Sequence, residues 1–191
     1  HIRDADMEAL RQRIDAPLNF EMAATAEMVG IAARIRPHAC CLVPERRDEV
    51  TTEGGLDVAG NRDALRDAVA ELAAHDIRVS MFVDPDPVQL DASRAIGAPV
   101  VELHTGAYAH KGGDAAELAR LQAAATHAAA IGLECHAGHG LTFDNVTAVA
   151  RIPTLAELNI GHFLVAAAVF EGLPGAIARM RRLMDEARKA G

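Results

Sequence analysis

Aromatic side chains are scarce in this sequence: five phenylalanines and one tyrosine occur among 191 residues, and tryptophan is absent. Proteins that bind single-stranded nucleic acid stack bases on aromatic rings, so the composition disfavours that function. Positive charge is also limited, with 19 lysines and arginines against 27 aspartates and glutamates and a formal net charge of −8. A nucleic-acid partner is therefore not expected, although backbone N–H groups could still form a local pocket for a small anion.

Cysteine is rare, and Cys40, Cys41 and Cys135 fit neither a disulfide framework nor the usual zinc spacings. We expect the three cysteines to be small buried core residues, and we expect the protein to be in a reducing, cytoplasmic environment. No apolar run is long enough to cross a bilayer, and no signal peptide opens the chain, so no membrane association is expected. Because the first residue is His1 rather than Met, we expect the natural beginning to be missing.

Lysine is the scarcest charged residue type, with Lys111 and Lys189 its two occurrences. Neither lies in a predicted strand. This disfavours an aldolase that forms a Schiff base on a strand lysine.

What the sequence does contain is a regular alternation of short apolar strands and helices. The predicted strands are Leu18–Met22, Ala39–Val43, Arg78–Val83, Val100–His104, Leu133–Ala137 and Glu157–Ile160. Three helices are predicted between or after them: one capped by Asn61 that buries Leu65, Ala68, Val69 and Leu72, one over Ala115–Ile131, and one over Gly175–Ala190 with a stripe of Ile177, Met180, Met184 and Ala187. No linker or charge block divides the chain, so we expect one domain over residues 1–191.

Alternating strands and helices predict a parallel α/β sheet. Six strands in 191 residues give about 32 residues per strand–helix unit. Eight such units make up the ~250 residues that are typical of a (β/α)8 (TIM) barrel. We therefore expect strands 3–8 of such a barrel, with two units missing from the front. A doubly wound open sheet is the structural alternative, and the lack of a G-x-G-x-x-G after the first strand weakens a dinucleotide-binding interpretation.

Strand parity selects the first candidate catalytic residues. Leu18, Phe20 and Met22 share one face, so Glu21 should point into the barrel, near the carboxyl ends where barrel active sites form. In the strand Val100–His104, Glu102 and His104 share a face and could form an acid–base pair or ligate a metal. The alternative for Glu21 is a structural carboxylate paired with an arginine. For Glu102 and His104 it is a buried hydrogen-bonded pair that only supports the barrel.

Glycine and histidine follow the last two strands, as His139-Gly140 and Gly161-His162. In a parallel barrel these turns commonly bind phosphate through backbone N–H groups, which points to a small phosphorylated substrate. His139 is also a candidate proton donor, because an unperturbed imidazole titrates near neutrality. For His136 we favour a surface or supporting role. The long connection Pro44–Gly60 is either a binding loop or an ordinary surface loop.

Five segments of the chain, in order, resemble the pyridoxine 5′-phosphate synthase family, whose barrel enzymes close the ring of vitamin B6. The matching segments are Asn19-Phe20-Glu21-Met22-Ala23, residues 40–60 (CCLVPERRDEVTTEGGLDVAG), Glu102-Leu103-His104-Thr105-Gly106, residues 137–142 (AGHGLT) and residues 157–162 (ELNIGH). The long block is the specific part of the match, since the short Gly/His pieces would be weak alone.

The resemblance implies that 1-deoxy-D-xylulose 5-phosphate condenses with 3-amino-2-oxopropyl phosphate to give pyridoxine 5′-phosphate, phosphate and water. It also implies a homo-oligomer, since the family forms octamers, and neither a cofactor nor a metal. The implied catalytic residues are Glu21 as base, His139 as proton donor and Glu102 as the group that stabilises the transition state. The implied substrate contacts are His1 and Thr51 for the deoxyxylulose phosphate, and Gly140, Gly161 and His162 for the amino-ketone phosphate.

Two other functions stay open at this point. One is a different phosphosugar barrel enzyme, such as a metal-dependent epimerase that uses Glu102, His104 and His139. The other is a truncated barrel without catalytic activity that only binds a ligand or partner.

Overall fold

The computed structural model describes residues 2–44 and 54–189, and these form one parallel sheet with helices packed along it. The strands are β1 (Asn19–Ala23), β2 (Ala39–Val43), β3 (Arg78–Val83), β4 (Val100–His104), β5 (Glu134–Gly138) and β6 (Leu155–Asn159). The helices are α1 (Asp4–Arg13), α2 (Ala26–Ile35), α3 (Arg62–Ala74), α4 (Pro87–Ala95), α5 (Gly106–His110), α6 (Ala115–Ala130), α7 (Val146–Ala150), α8 (His162–Glu171) and α9 (Leu173–Lys189).

The strands lie side by side in chain order, β1 to β6, and every neighbouring pair is parallel. A doubly wound sheet reverses its strand order at a switch point, so that alternative is wrong. Sequential order with a helical crossover after each strand is the arrangement of a TIM barrel. Within the described residues, β1 and β6 are the two edges of the sheet, which is the expected six-strand portion of a barrel.

The strand predictions are confirmed to within one or two residues. β2, β3 and β4 have the predicted bounds, while β1 and β5 each begin one residue later. β6 begins two residues before Glu157 and ends at Asn159. An irregular register between Cys135 and His136, where β5 meets β6, accompanies this shift and is invisible to a two-residue periodicity.

The helix predictions hold better for the buried faces than for the caps. The four predicted core residues of α3 are buried. Asn61 stands at the N-cap of α3, but its amide does not cap the helix; Nδ2 donates to the carbonyl of Asp57 instead. On α9, Met180 and Ala187 are buried, whereas Ile177 is 49 % exposed, so the predicted stripe is wrong there. Ala176 takes the buried position instead.

The two faces of the sheet carry different side chains, as strand parity predicts. Phe20, Met22, Val101 and Leu103 belong to the large apolar core under the helices. The opposite face carries polar side chains on several strands, with Glu21, Ser80, Glu102, His104 and His136 among them. Each Å² of apolar surface buried under the helices stabilises the fold by about 25 cal/mol. The polar face contributes less of this stabilisation, because its side chains are polar.

A second apolar cluster joins the end of the chain to the sheet. Phe143, Val146, Ala176 and Met180 form it, and Phe163 of α8 packs edge-on against Phe143 with ring centroids 4.7 Å apart. Among the described helices, none combines the length and hydrophobicity that crossing a membrane requires.

Candidate active site

The polar face of the sheet gathers its reactive side chains toward the carboxyl ends of the strands. Glu21 lies on this face, as predicted, and it is exposed because β1 is an edge of the sheet that residues 2–44 and 54–189 form. Cys41 is its register partner on β2 and separates it from Glu102. The negative charge of Glu21 nevertheless acts on Glu102, since it contributes to raising the pKa of that carboxyl.

Glu102 is the most perturbed acid of the site. It is 3 % exposed, and Oε2 accepts hydrogen bonds from Asn159 Nδ2 at 2.9 Å and from the thiol of Cys41 at 3.6 Å. Burial, reinforced by the charge of Glu21, raises its pKa to about 8. Glu102 is therefore mostly protonated at neutral pH and can donate a hydrogen bond.

Gly138 is the residue that lets Glu102 lie between β4 and β6. A Cβ at position 138 would meet Glu102 Oε1 at 2.3 Å and the carbonyl oxygen of Asn159 at 2.7 Å. Only glycine leaves that space, so the Gly that ends β5 shapes the site as well as the turn.

His139 follows Gly138 and is half-buried. Burial lowers its pKa, and the neighbouring His104, His110 and His162 lower it further. The neutral imidazole is thus the prevailing form at neutral pH, and its conjugate acid is a stronger donor than free histidine. His139 can therefore take a proton from one group and return it readily to another.

His104 lies next to His139, with ring centroids 4.9 Å apart. Its Nδ1 is 3.2 Å from Oδ1 of Asp84, the residue that follows β3. Both predicted partners in the strand Val100–His104 therefore reach the site, Glu102 as a buried acid and His104 as a neighbour of the second histidine.

The two Gly/His turns lie at the carboxyl ends of neighbouring strands. Gly140 has a φ of 78°, and its carbonyl accepts a bond from Asn145. Gly161 is the N-cap of α8; it offers no side-chain cap, and the space at its α-carbon is open. His162 begins the helix and is exposed. The first N–H groups of α8 therefore have no capping side chain, which is the condition for an anion to bind them.

Part of the predicted site lies outside the described residues. His1 and Thr51 fall there, as do residues 45–53 of the long connection. The connection is described again from Gly54, and Gly55 donates its N–H to Asp84 at 3.2 Å.

Sequence reasoning missed three side chains of the site. Asp84 is a polar residue at a strand end, and that signal could have found it. Asn159 lies within one of the resembling segments but was not singled out. Cys41 was expected to be a core residue only; it is buried, yet it contacts Glu102 on the polar face, whereas Cys40 belongs to the apolar core.

His136 belongs to a second cluster on the same face of the sheet, where it is the register partner of Glu102. It is buried, so a surface role is wrong, and its Nε2 is 2.8 Å from Glu134. Its Nδ1 is 3.7 Å from Glu157, and Arg78 forms a salt bridge with Glu134 at 2.8 Å. With both ring nitrogens facing carboxylates, the arrangement fits the supporting role.

Metal ligation was the chemistry behind one alternative function. Across residues 2–44 and 54–189, no three His, Cys, Asp or Glu side chains converge as a metal site. Glu102 and His104 are instead bonded to Asn159, Cys41 and Asp84.

A parallel sheet in sequential order, with acids and histidines at its carboxyl ends, defines the class of TIM-barrel proteins with a site at the top of the barrel. Solved structures agree on the fold. The structure described as native KDPGal has a TM-score of 0.65 and 13% identity, covering 97% of this chain and 76% of that one. An HpcH/Hpal aldolase/citrate lyase family protein from Burkholderia cenocepacia has a TM-score of 0.57 and 14% identity, covering 94% and 81%. At such identities the likeness concerns the fold alone.

Sequence comparison identifies the family. Residues 1–186 match the pyridoxal phosphate biosynthesis protein PdxJ. The pyridoxine 5′-phosphate synthase of Rhodospirillum rubrum is 59% identical over all of this chain and 78% of its own length. That of Gluconobacter oxydans is 60% identical over 97% of this chain and 78% of its own length. The chain belongs to the PdxJ family of pyridoxine 5′-phosphate synthases, and the resemblance found in the sequence is confirmed.

Proposed function

We propose that this protein condenses 1-deoxy-D-xylulose 5-phosphate with 3-amino-2-oxopropyl phosphate, releasing pyridoxine 5′-phosphate, phosphate and water. As a ring-closing condensation this is a transferase reaction. The observation that carries the proposal is the gathering of Glu21, the buried Glu102 and the turn that carries His139 on one face of the sheet. Family membership supplies the reaction to which that set of acids and bases applies.

Each acid or base has a role that its environment suits. Glu21 serves as the base that removes a proton from the substrate. Glu102, protonated at neutral pH, donates a hydrogen bond to negative charge that develops in the transition state, as a carboxyl of raised pKa can. Because Oε2 accepts from Asn159 and Cys41, we assign the proton of Glu102 to Oε1.

His139 moves protons in both directions. Its lowered pKa keeps it neutral before reaction, so it first accepts a proton and then donates it to the departing oxygen. The imine forms between the two substrates, so no lysine of the protein is needed, in keeping with the two lysines of the chain.

The phosphate of the amino-ketone substrate is assigned to the turns after β5 and β6. Gly140, Gly161 and His162 would contact it, with the open N-terminus of α8 offering N–H groups and the positive end of the helix dipole. His1 and Thr51 are assigned to the other substrate. The partners are then small phosphorylated molecules, and we propose a cytoplasmic homo-oligomer that binds neither nucleic acid nor membrane.

The direct test supplies the full-length protein with both substrates and measures pyridoxine 5′-phosphate and released phosphate by chromatography. We expect equal amounts of the two products. Product that forms only when another enzyme is added would refute the assignment.

A chelation experiment tests the proposal that the reaction needs no metal. Protein is treated exhaustively with a chelator, its metal content is measured, and turnover is compared before and after. We expect unchanged turnover, because Glu21, Glu102 and His139 supply the proton transfers. Loss of activity that one divalent ion restores would instead favour the metal-dependent epimerase class.

A further inference from the structure

The turn that carries His139 has an unfavourable backbone conformation. His139 has a φ of 82°, in the left-handed region that side chains other than glycine rarely adopt. Gly140, directly after it, has a φ of 78°. Such a conformation persists only where surrounding contacts fix it.

Thr105 provides contacts that fix it. Its buried hydroxyl donates to the carbonyl oxygens of Gly138 at 2.7 Å and His139 at 2.5 Å, sharing one proton between the two acceptors. Its backbone N–H donates to the carbonyl of Gly138 at 2.8 Å. The residue after β4 therefore holds both peptide groups that set the direction of the His139 side chain.

His104, the preceding residue, holds the ring itself. Its imidazole lies between Phe82, at a centroid distance of 5.2 Å, and His139 at 4.9 Å. Asp84 fixes its orientation through Nδ1, and the carboxylate of Asp84 is itself held by the N–H of Gly55. The His139 ring thus packs against the imidazole of His104, which Phe82 and Asp84 hold in place.

Nε2 of His104 is buried and has no hydrogen-bond partner among the described residues. The contact with Asp84 occupies Nδ1 and leaves Nε2 as the buried polar atom of the ring. Gly106 makes room for it: a Cβ there would lie 2.4 Å from Nε2 and 3.3 Å from the ring of His139. A buried polar atom without a hydrogen-bond partner destabilises the fold, so the imidazole at this position indicates a role other than stability.

Helix α5 extends the same support along the turn. A Cβ on Gly140 would meet the Cβ of Ala109 at 2.8 Å, so the turn lies directly against the helix. The hydroxyl of Tyr108 donates to the carbonyl of Asn145 at 2.8 Å. The segment after β4 contacts the turn after β5 at several successive positions.

We propose that Thr105 and His104 are positioning residues for His139, through hydrogen bonds to its backbone and packing against its ring. This inference rests on the proposed function, in which His139 transfers protons. Neither residue touches the reacting atoms; each acts through His139, and Asp84 acts through His104.

The experiment uses five variants of the full-length enzyme, with turnover and KM measured for both substrates. Thr105→Val removes the hydroxyl and keeps the shape, and Thr105→Ser restores the hydroxyl. Thr126→Val is the matched control, since its hydroxyl also donates to a backbone carbonyl, at 2.8 Å on α6, away from the site. His139→Ala, alone and combined with Thr105→Val, completes a double-mutant cycle.

We expect Thr105→Val to lower kcat about tenfold or more with KM within about threefold, since a misplaced proton-transfer group affects the transition state. Thr105→Ser and Thr126→Val should stay within about threefold of the wild type. In the His139→Ala background, Thr105→Val should have no further effect on kcat, because its target is gone. Circular dichroism at the assay temperature establishes that each variant is folded.

His104→Phe adds a second measurement, since it keeps a ring between Phe82 and His139 but cannot bond to Asp84. We expect its kcat to lie between those of the wild type and His104→Ala.

Two results would overturn the inference: a Thr105→Val enzyme with wild-type kcat beside an impaired His139→Ala, or a Thr105→Val effect that persists in full without His139. Different measurements would show that the proposed function itself is wrong. Such a failure would appear as no product from the wild type, or as a His139→Ala enzyme with normal turnover, and the inference would fall with it.

Discussion

Two clusters of histidine and carboxylate lie next to each other on the same sheet face, with His136 and Glu102 as register partners, and they differ in how well their polar groups are hydrogen-bonded. In the first cluster, His136 has a carboxylate near each ring nitrogen, and Glu134 is held by Arg78 as well. In the second, His104 keeps a buried nitrogen without a partner among the described residues, and Glu102 is too buried to ionise readily. The first arrangement stabilises the fold. The second keeps polar groups buried with fewer partners, which destabilises the fold but leaves those groups able to react.

The pKa values express the same contrast. Arg78, aided by His136, holds the pKa of Glu134 at about 2, so the carboxylate is ionised and paired at neutral pH. Burial raises the pKa of Glu102 to about 8. The surroundings of two glutamates in one sheet thus shift their pKa values in opposite directions, which is how one fold holds an acid and a structural anion together.

The largest effect is expected from Glu21→Gln. The substitution keeps the size of the side chain but removes the base, so turnover of the full-length enzyme should fall by roughly 10²–10⁴-fold. Thermal stability should change far less than turnover, because the amide keeps the volume of the side chain and most of its hydrogen bonds. Steady-state kinetics and calorimetry measure the two quantities. Turnover within a few-fold of the wild type would show that Glu21 has a structural role and is not the catalytic base.

Glu102→Gln should lower turnover by about ten- to hundredfold, since the amide is a weaker hydrogen-bond donor than the acid. It should also change how stability depends on pH. The folded pKa of Glu102 is above the unfolded value, so its contribution is full below pH 4.5 and is lost as the pH rises through about 8.

Urea unfolding at several pH values between 5 and 9 measures that dependence. The wild type should lose stability relative to Glu102→Gln as the pH rises, by at most about 1.4 kcal/mol per pH unit over this range. Parallel curves for the two proteins would show that Glu102 is ionised throughout, contrary to its burial.

Gly161→Ala tests the phosphate corner. The methyl group meets nothing in the protein, and the backbone conformation suits alanine, so the fold should be unaffected. It would crowd an anion at the N-terminus of α8, and KM for the amino-ketone phosphate should rise about threefold to tenfold. Gly30→Ala on α2, where the space is equally open, is the matched control and should leave KM unchanged. Equal KM values in both variants would place the phosphate elsewhere.

The smallest effect on activity is expected at the cluster of His136, Glu134 and Arg78. Glu134→Gln weakens the bonds to Arg78 and His136 and should lower the free energy of unfolding by about 1 kcal/mol at pH 7, given the partial exposure of the pair. Because the folded pKa is depressed, this advantage of the wild type exists above pH 4.5 and disappears as the pH falls toward about 2. Turnover should stay within about threefold. A large loss of turnover with unchanged stability would erase the distinction between the two clusters.

The sequence by itself determined which residues face the helices and which face the barrel interior. Side chains of a strand alternate between its faces, so Phe20 and Met22 on one side place Glu21 on the other, and Val101 and Leu103 do the same for Glu102. The regular alternation of strands and helices likewise predicts the parallel sheet. Both features depend on local periodicity, which a single sequence contains in full.

Tertiary structure decided the chemistry of those residues. Whether Glu102 is ionised depends on Asn159 and Cys41, which lie 57 and 61 positions away in the chain. The pairing of His104 with Asp84 and its packing against His139 depend on which strand ends become neighbours. A pKa is set by burial and by charges in space, and neither can be calculated from spacing along the chain. The sequence therefore predicts where the reactive groups point, and only the packed sheet determines their protonation and their partners.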